Sequence, residues 1–204
     1  ALGPKYSLSL ALKRFVDLVL AAVVLVILIL PMLGVAALVR TTSGHVLFRQ
    51  KRVGLNGRQF VVFKFRTMYK DAEQRRAEYN LKNEMQGIAF KMKNDPRVTR
   101  VGRFLRRTSL DELPQLYNIL RGEMSLVGPR PALPYEVEQY QVHHQQRLLP
   151  QAGLTGLWQV SGRTTLTFEQ MVQLDITYSQ SRSLWLDIKI LLKTLPAVLS
   201  GDGA

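Results

Sequence analysis

The sequence predicts an α+β protein that is mostly helical, with an N-terminal membrane helix, one small β-hairpin and amphipathic helices at the membrane interface. Three observations support this prediction. The segment from Leu18 to Val39 contains no charged residue, two β-prone runs flank an Asn-Gly turn, and helical periodicity dominates the rest of the chain. The predicted organisation is a membrane segment over residues 1–40 and a second domain over residues 41–204.

Composition narrows the class of partner. The 204 residues are 47% hydrophobic, which suits one core plus a membrane anchor. There are 28 Lys plus Arg against 15 Asp plus Glu, a net charge of +13, so an anionic partner is expected. Nucleic acid, lipid headgroups and phosphorylated substrates all fit that charge. The absence of Cys excludes disulfides and cysteine-bound metal, and the three His lack zinc-ligand spacing and are interpreted as surface residues.

Pro31 divides the apolar segment. Proline removes a backbone donor and clashes with the preceding turn, so we expect the helix to kink or break there. From Leu18 to Leu30 the helix would measure only about 20 Å, less than the ~30 Å hydrocarbon core. Basic residues flank both ends of the segment, as in a re-entrant hairpin that enters and leaves on one side. A kinked helix that crosses the membrane remains an equal alternative.

The remaining helices and strands are predicted from hydrophobic periodicity and from turn residues. Val46–Val53 and Gln59–Arg66 are predicted to pair as a hairpin around an Asn-Gly turn. Helices are predicted over Tyr69–Glu84, Asp111–Leu120, Pro134–Leu148, Thr167–Ser181 and Leu184–Leu199. The last of these carries Trp185, Lys189 and Lys193, which suits a helix at the membrane surface, although a core helix with exposed lysines fits equally well.

A basic run precedes the predicted helix at Asp111. It comprises Lys91, Lys93, Arg97, Arg100, Arg103, Arg106 and Arg107. Four of these arginines recur at helical three- and four-residue steps, so their guanidinium groups can share a face that binds phosphates. A solvated basic face or a lipid-headgroup patch is the alternative explanation.

Asp111 and Glu112 are the candidate reactive groups. Thr108 and Ser109 each stand three residues before a carboxylate, which fits a capping box that opens a helix at Asp111. Structural capping would explain both acids. Adjacent carboxylates beside arginines also suit phosphoryl chemistry, in which one attacks phosphorus and the other holds Mg²⁺.

Three other cations are candidates for binding phosphate. Arg130 lies between prolines in Gly128–Pro131, which restricts its backbone. Lys64 and Arg66 alternate with Phe63 and Phe65, so both cations would lie on one face of a strand. The alternative for all three is a solvent-facing charge. Phosphate-loop, dinucleotide-binding, serine-hydrolase and zinc-protease motifs are absent, which disfavours those classes.

In order along the chain, several motifs resemble the monotopic phosphoglycosyl transferases of the bacterial sugar transferase family, from about Leu12 onward. They are the proline-broken apolar segment, Phe48–Gln50, Lys64–Met68, Lys93–Arg100, Arg106–Leu116, Met124–Pro131 and Gly153–Arg163. One departure is Ala152, where relatives commonly have proline. The C-terminal part resembles the longer members of the family, which often carry a further N-terminal region.

The resemblance implies a ping-pong transfer of hexose-1-phosphate from a UDP-sugar to undecaprenyl phosphate. It implies that Asp111 is the nucleophile and that Glu112, with Asp111, binds Mg²⁺. Lys64, Arg106 and Arg130 match family positions expected to bind phosphates, and Arg66 and Arg107 are further candidates for binding phosphate. The product would begin the assembly of exopolysaccharide, capsule or O-antigen.

The resemblance also favours the re-entrant hairpin and a monotopic protein on the cytoplasmic face of the bacterial inner membrane. Membrane lipids are expected as partners and nucleic acid is not, while a homodimer is left open. A membrane-anchored basic protein that binds anionic lipid or nucleic acid is the main rival. A membrane-anchored phosphohydrolase or glycosidase that uses the carboxylate pair is a second rival. It fits poorly, since neighbouring helical residues diverge by about 100° and glycosidase carboxylates must flank a bond from opposite sides.

Overall fold

The computed structural model describes residues 4–72, 74, 95–162 and 165–199. The helices are α1 (Pro4–Ser43), α2 (Arg100–Arg107), α3 (Gln115–Leu120), α4 (Pro134–Val137), α5 (Phe168–Ser181) and α6 (Leu184–Leu199). The strands are β1 (Leu47–Val53), β2 (Gln59–Phe65), β3 (Ser125–Val127) and β4 (Gly153–Thr155). The mostly helical α+β class is therefore confirmed.

Helix α1 is the membrane-associated element. Its stretch Leu8–Ser43 is long and apolar enough to cross a membrane. Only 6% of the most apolar 18 residues in this stretch are buried inside the protein. Helical structure continues through Pro31, so the predicted break is not a gap between two helices. Proline removes only its own N–H from the hydrogen-bond series, and the residues on either side can keep theirs. The re-entrant path therefore stays a prediction.

Both halves of α1 pack against the rest of the protein. Ala21 belongs to a core cluster with Leu116, Ile119 and Ile190. Val39, on the other side of Pro31, is fully buried in a second cluster with Phe65 and Leu105. The most exposed apolar residues of α1, such as Val26 and Leu30, lie between and around these contacts. The helix is thus attached to the domain on both sides of its proline.

Strands β1 and β2 form the predicted antiparallel hairpin. Their register pairs Phe48 with Lys64 and Arg52 with Phe60, so these four side chains share one face. The connection is a 3₁₀ turn over Leu55–Gly57 in which Asn56 has φ 52°. Asparagine and glycine tolerate such positive φ values, which is why the Asn-Gly pair predicts this turn.

The parallel pair of β3 and β4 was not predicted. Each strand has only three residues, too few for a period-two pattern to be read from the sequence. A Cβ on Gly153 would lie against the backbone nitrogen of Gly128. The absence of side chains there lets the two backbones meet, and this contact fixes the start of the loop that carries Arg130.

The predicted helices near the C terminus are largely confirmed, but one is not. Helices α5 and α6 match their predicted ranges, and the Thr167 hydroxyl accepts from Gln170 N–H at the start of α5. The helix predicted over Pro134–Leu148 is instead the single turn α4 followed by a 3₁₀ segment over Val142–Leu148. Most of the predicted polar helix Tyr69–Glu84 lies outside the described residues, as do Lys91, Lys93 and Arg163.

A buried polar network connects α1 to β3 and α6. Asp17 accepts hydrogen bonds from Ser125 Oγ at 2.7 Å and from Leu126 N–H at 3.2 Å. Lys13 forms a 2.7 Å ion pair with Asp187, which also accepts from the Tyr178 hydroxyl. Because buried polar groups are stable only when paired, these bonds fix how the N-terminal part of α1 sits against β3.

Candidate active site

Asp111 and Glu112 lie in a 3₁₀ turn, not at the start of an α-helix. The turn covers Leu110–Glu112, and α3 begins only at Gln115. The predicted capping box is wrong, because Thr108 Oγ donates back to the carbonyls of the preceding helix and Ser109 makes no side-chain cap. Ser109 has φ 55°, an uncommon value for a residue other than glycine. That left-handed residue turns the chain sharply between α2 and the two carboxylates.

Glu112 is held between two cations from distant parts of the chain. Lys64 Nζ lies 2.6 Å from Glu112 Oε1, and Arg130 Nη1 lies 3.3 Å from the same oxygen. Burial acts to raise the pKa of Glu112, but the charges of Lys64 and Arg130 outweigh it and hold that pKa at about 2. Glu112 is therefore anionic at every physiological pH.

Asp111 is the more buried carboxylate of the pair. Asp111 is buried, with an exposed fraction of 9%. Burial raises the pKa of Asp111 to about 6, with a contribution from the negative charge of Glu112, against the attraction of the surrounding cations. A weakly solvated carboxylate that is charged at neutral pH is a competent nucleophile.

The arginine run divides between the site and the surface. Arg106 lies near Asp111 and its Nε donates to Thr67 Oγ1 at 3.0 Å, while burial lowers its pKa. Arg97 precedes α2, is buried and forms a 2.6 Å ion pair with Asp95. Arg100, Arg103 and Arg107 are exposed. The prediction of one shared phosphate-binding face is therefore wrong for Arg97, and for the three exposed arginines it stays a prediction.

Arg107 and Arg66 do not contact the two carboxylates. Within the described residues, Arg107 forms no hydrogen bond or ion pair with either acid. Arg66 lies on the Lys64 face of the hairpin as predicted, but its guanidinium lies over the Phe48 ring at 5.9 Å. Its Nε is buried without a hydrogen-bond partner in the described part of the chain. The structure thus brings Lys64, Arg106 and Arg130 to the carboxylates, and leaves Arg66 and Arg107 outside direct contact.

Sequence reasoning missed two residues beside Glu112. Arg52 and Gln115 line a small recess whose other lining residues are Val62, Lys64, Arg130, Pro131, Gly153 and Leu154. Arg52 could have been found from the predicted hairpin, since the register places it on the same face as Lys64. Gln115 carries no comparable signal, because only the packing of α3 against the hairpin decides where its carboxamide lies.

The donor set at the carboxylate pair fits Mg²⁺. Magnesium prefers oxygen ligands and is usually bound by one or two carboxylates together with substrate phosphates and water. Glu112 Oε1 is occupied by the two cations, but Glu112 has a second oxygen and Asp111 forms no ion pair within the described residues. Two anionic oxygen donors are therefore present for such an ion.

His143, His144 and Glu169 form a separate cluster in which both rings contact the carboxylate at 3.0 Å. His144 is buried, so its assignment to the surface is wrong. Its Nδ1 accepts from Gln141 N–H, which places the ring proton on Nε2, facing Glu169. A metal on Nε2 would need that proton to move to Nδ1, against the backbone donor. The cluster is thus explained as a contact between the 3₁₀ segment and α5.

The fold and the site define a class of protein: a membrane-associated protein with a buried carboxylate pair held among cations, suited to phosphate chemistry. The sequence pattern described as bacterial sugar transferase matches residues 8–201. The chain therefore belongs to the bacterial sugar transferase family.

Three curated relatives support the same assignment. The galactosyl transferase CpsE of Streptococcus agalactiae is 47% identical over 98% of this chain and 44% of its own length. The exopolysaccharide production protein ExoY of Rhizobium meliloti is 43% identical over 94% of this chain and 87% of its own. The UDP-glucose:undecaprenyl-phosphate glucose-1-phosphate transferase of Caulobacter vibrioides is 41% identical over 99% and 75%. The chain thus spans less than half of CpsE.

Proposed function

We propose that this chain transfers a sugar-1-phosphate from a UDP-sugar to undecaprenyl phosphate, as the start of exopolysaccharide, capsule or O-antigen assembly. The observation that carries the proposal is the buried Asp111 carboxylate beside Glu112, with Lys64, Arg106 and Arg130 around the pair. A nucleophile with phosphate-binding cations around it is what transfer between two phosphorus centres requires. The name of the Caulobacter relative supports the donor and acceptor classes.

In the proposed first step, Asp111 attacks the β-phosphorus of the UDP-sugar. A bond forms between Asp111 Oδ and phosphorus, the bond to the bridging oxygen breaks, and UMP leaves with the electron pair. The enzyme then carries a sugar phosphate on Asp111. In the second step an oxygen of undecaprenyl phosphate attacks the same phosphorus, and the carboxylate is released. The products are a polyprenyl-diphospho-sugar and free Asp111, so the reaction follows ping-pong kinetics.

The surrounding residues have separate roles in this scheme. Lys64 and Arg130 hold Glu112 in one orientation and supply positive charge to phosphate oxygens. Arg106 is placed on the Asp111 side, where charge develops during attack. Mg²⁺, held by Glu112 and Asp111 with the substrate, would offset the charge of the pyrophosphate.

We further propose that α1 is re-entrant and that the domain lies on the cytoplasmic face of the inner membrane. Ala21 and Val39 are 18 positions apart, about 27 Å along a straight helix, close to the thickness of the hydrocarbon core. Both are nevertheless packed against the same domain, on opposite sides of Pro31. A helix that crossed the bilayer would place one of these contacts on the far side, so the packing supports a path that returns.

Helix α6 is proposed to lie at the same membrane surface. Trp185, Ile188, Leu192 and Leu195 are exposed at helical spacing and form one apolar stripe. Lys189 Nζ lies over the Trp185 ring at 5.2 Å, so a cation and an aromatic ring share the edge of this stripe. Such a combination suits the boundary between lipid headgroups and acyl chains.

The test is UMP release by the protein in detergent from a panel of UDP-sugars, with and without undecaprenyl phosphate and Mg²⁺. The proposal predicts release with a subset of donors, dependence on Mg²⁺, and multiple turnovers only when the lipid is present. Without lipid, release should stop at about one UMP per enzyme, because the intermediate is not discharged. No release with any donor would contradict the proposal and favour a protein that only binds anionic lipid.

A further inference from the structure

Two polar groups in the recess beside Glu112 have no role in the scheme above. They are the guanidinium of Arg52 on β1 and the carboxamide of Gln115 at the start of α3. The recess lies on the Arg130 side of the carboxylate pair, since Lys64 and Arg130 line it, whereas Asp111 and Arg106 are not among its described lining residues. The two groups therefore extend the cationic site away from the reacting carboxylate.

Gln115 presents a buried donor without an acceptor. Only 3% of the residue is exposed, and its Nε2 has no hydrogen-bond partner within the described residues. A buried donor that is left unpaired destabilises the folded protein, and most such groups in proteins are satisfied. Gln115 lines a recess together with three cations, so the acceptor that this site favours is an anion.

Arg52 forms no hydrogen bond or ion pair with a carboxylate in the described part of the chain, although the negative charges of Glu136 and Glu112 favour its charged form. Its Nη1 donates to Pro131 O at 3.0 Å, and its Nε and Nη2 donate to Gln50 Oε1 at 3.0 and 2.8 Å. These partners are neutral. A guanidinium carries five N–H donors, so two remain for a ligand. Burial, with a contribution from Arg130, lowers the pKa of Arg52 to about 10, which leaves it charged at neutral pH.

We propose that Arg52 and Gln115 form a second anion subsite, which binds a phosphate oxygen that does not react. This inference rests on the proposed function and names residues beyond those that it uses. Guanidinium and carboxamide N–H groups both donate, so the pair selects an acceptor-only group such as phosphate over a cation. In the proposed reaction that phosphate belongs either to the departing nucleoside monophosphate or to the headgroup of the polyprenyl phosphate.

The kinetic test compares Arg52→Met and Gln115→Met with Lys51→Met. Lys51 is the exposed neighbour of Arg52 on the opposite face of β1, so it controls for loss of a positive charge from the strand. We expect about a tenfold rise in the KM for one substrate in each site variant, with little change in the control. Arg52→Lys should give an intermediate rise, because it keeps the charge but not the fork of donors.

The substrate whose binding weakens identifies the source of the phosphate. A rise in the KM for the UDP-sugar together with weaker inhibition by UMP assigns the subsite to the nucleotide. A rise confined to the KM for undecaprenyl phosphate assigns it to the lipid. If both KM values and the UMP inhibition constant stay within twofold of wild type in both site variants, the inference is wrong. A melting temperature close to that of wild type excludes a general loss of folding.

A binding measurement tests the subsite independently of the proposed activity. Inorganic pyrophosphate is titrated into the detergent-solubilised protein in Mg²⁺-free buffer, which requires no turnover. The subsite predicts binding by wild type and by Lys51→Met, and about tenfold weaker binding by Arg52→Met and Gln115→Met. Equal affinity in all four proteins would overturn the inference even if UMP release is observed. Selective weakening without UMP release would instead overturn the proposed reaction and leave the anion subsite in place.

Discussion

Lys64 Nζ and Glu112 Oε1 lie 2.6 Å apart, although 48 residues separate them in the chain. Arg130 reaches the same oxygen from a third segment, the loop after β3. The hairpin, the 3₁₀ turn and this loop are therefore brought together at a single carboxylate oxygen. Since Glu112 is fixed by these two cations, the neighbouring Asp111 is positioned without an ion pair of its own in the described part of the chain.

Asp111→Asn is predicted to abolish turnover and to leave the fold intact. The amide cannot attack phosphorus, so UMP release should fall at least about a thousandfold. Removal of a buried charge with a raised pKa should not lower the melting temperature, because the charged form is the one that burial disfavours. Glu138→Gln, at an exposed position on the surface, is the control and should behave as wild type. Retention of most activity by Asp111→Asn would exclude the covalent mechanism.

The rate of UMP release is predicted to rise with pH through about 6. The pKa of Asp111 is raised to about 6, so the nucleophile is mostly protonated at pH 5 and mostly charged at pH 7. Glu112, with a pKa of about 2, stays anionic over this range and contributes no change. The measurement is kcat/KM for the UDP-sugar between pH 5 and 8 at a low, fixed Mg²⁺ concentration, because Mg²⁺ bound to Asp111 would itself lower the pKa of that carboxylate. A rate that is constant from pH 5 upward would mean that Asp111 is not the titrating nucleophile.

Substitutions of the adjacent residues Arg106 and Arg107 are predicted to differ in their effect on activity. Arg106 lies beside Asp111 and is partly buried, whereas Arg107 is exposed. Arg106→Met should therefore lower kcat/KM about a hundredfold, and Arg107→Met should remain within about threefold of wild type. Steady-state UMP release from both variants, prepared side by side, measures the difference. Equal losses would show that the basic face as a whole, through lipid or substrate attraction, is what matters.

Asp17→Ala is predicted to destabilise the protein. Its carboxylate accepts from Ser125 Oγ and Leu126 N–H, and both donors would lose their buried acceptor. The expected loss is about 2–4 kcal/mol, which lowers the melting temperature by several degrees for a chain of this size. Thermal unfolding in detergent measures it, and Asp17→Asn should recover part of the stability. An unchanged melting temperature would mean that this network does not hold α1 against β3.

The re-entrant path of α1 is tested by cysteine labelling, for which a chain without native Cys is suited. Leu12→Cys and Thr41→Cys lie on opposite sides of Pro31, and both positions are exposed. A membrane-impermeant maleimide added to inverted inner-membrane vesicles should label both positions, and added to intact spheroplasts it should label neither. Labelling of one position in each preparation would instead demonstrate a helix that crosses the bilayer.

Several features could be predicted from local sequence because their causes are local. The Asn-Gly turn and period-two alternation determine the hairpin, and Thr167 with Gln170 determines where α5 begins. The capping box at Ser109 failed because the chain turns through a left-handed residue there, which the pattern of serine, threonine and acids does not reveal. The β3–β4 pair could not be predicted, because its strands are short and meet through the contact between Gly128 and Gly153.

The sequence by itself determined the apolar helix, the hairpin, the family, and the identity of Asp111, Glu112, Lys64, Arg106 and Arg130 as candidates. Only the tertiary structure decided which cations reach the acids, that Arg66 and Arg107 do not, and that Arg52 and Gln115 line the recess beside Glu112. The physical reason is that hydrophobic periodicity and turn propensity act over a few residues. Contacts between charged side chains depend on how separate elements pack. The amino-acid sequence does not reveal the distances between residues that are far apart in the chain.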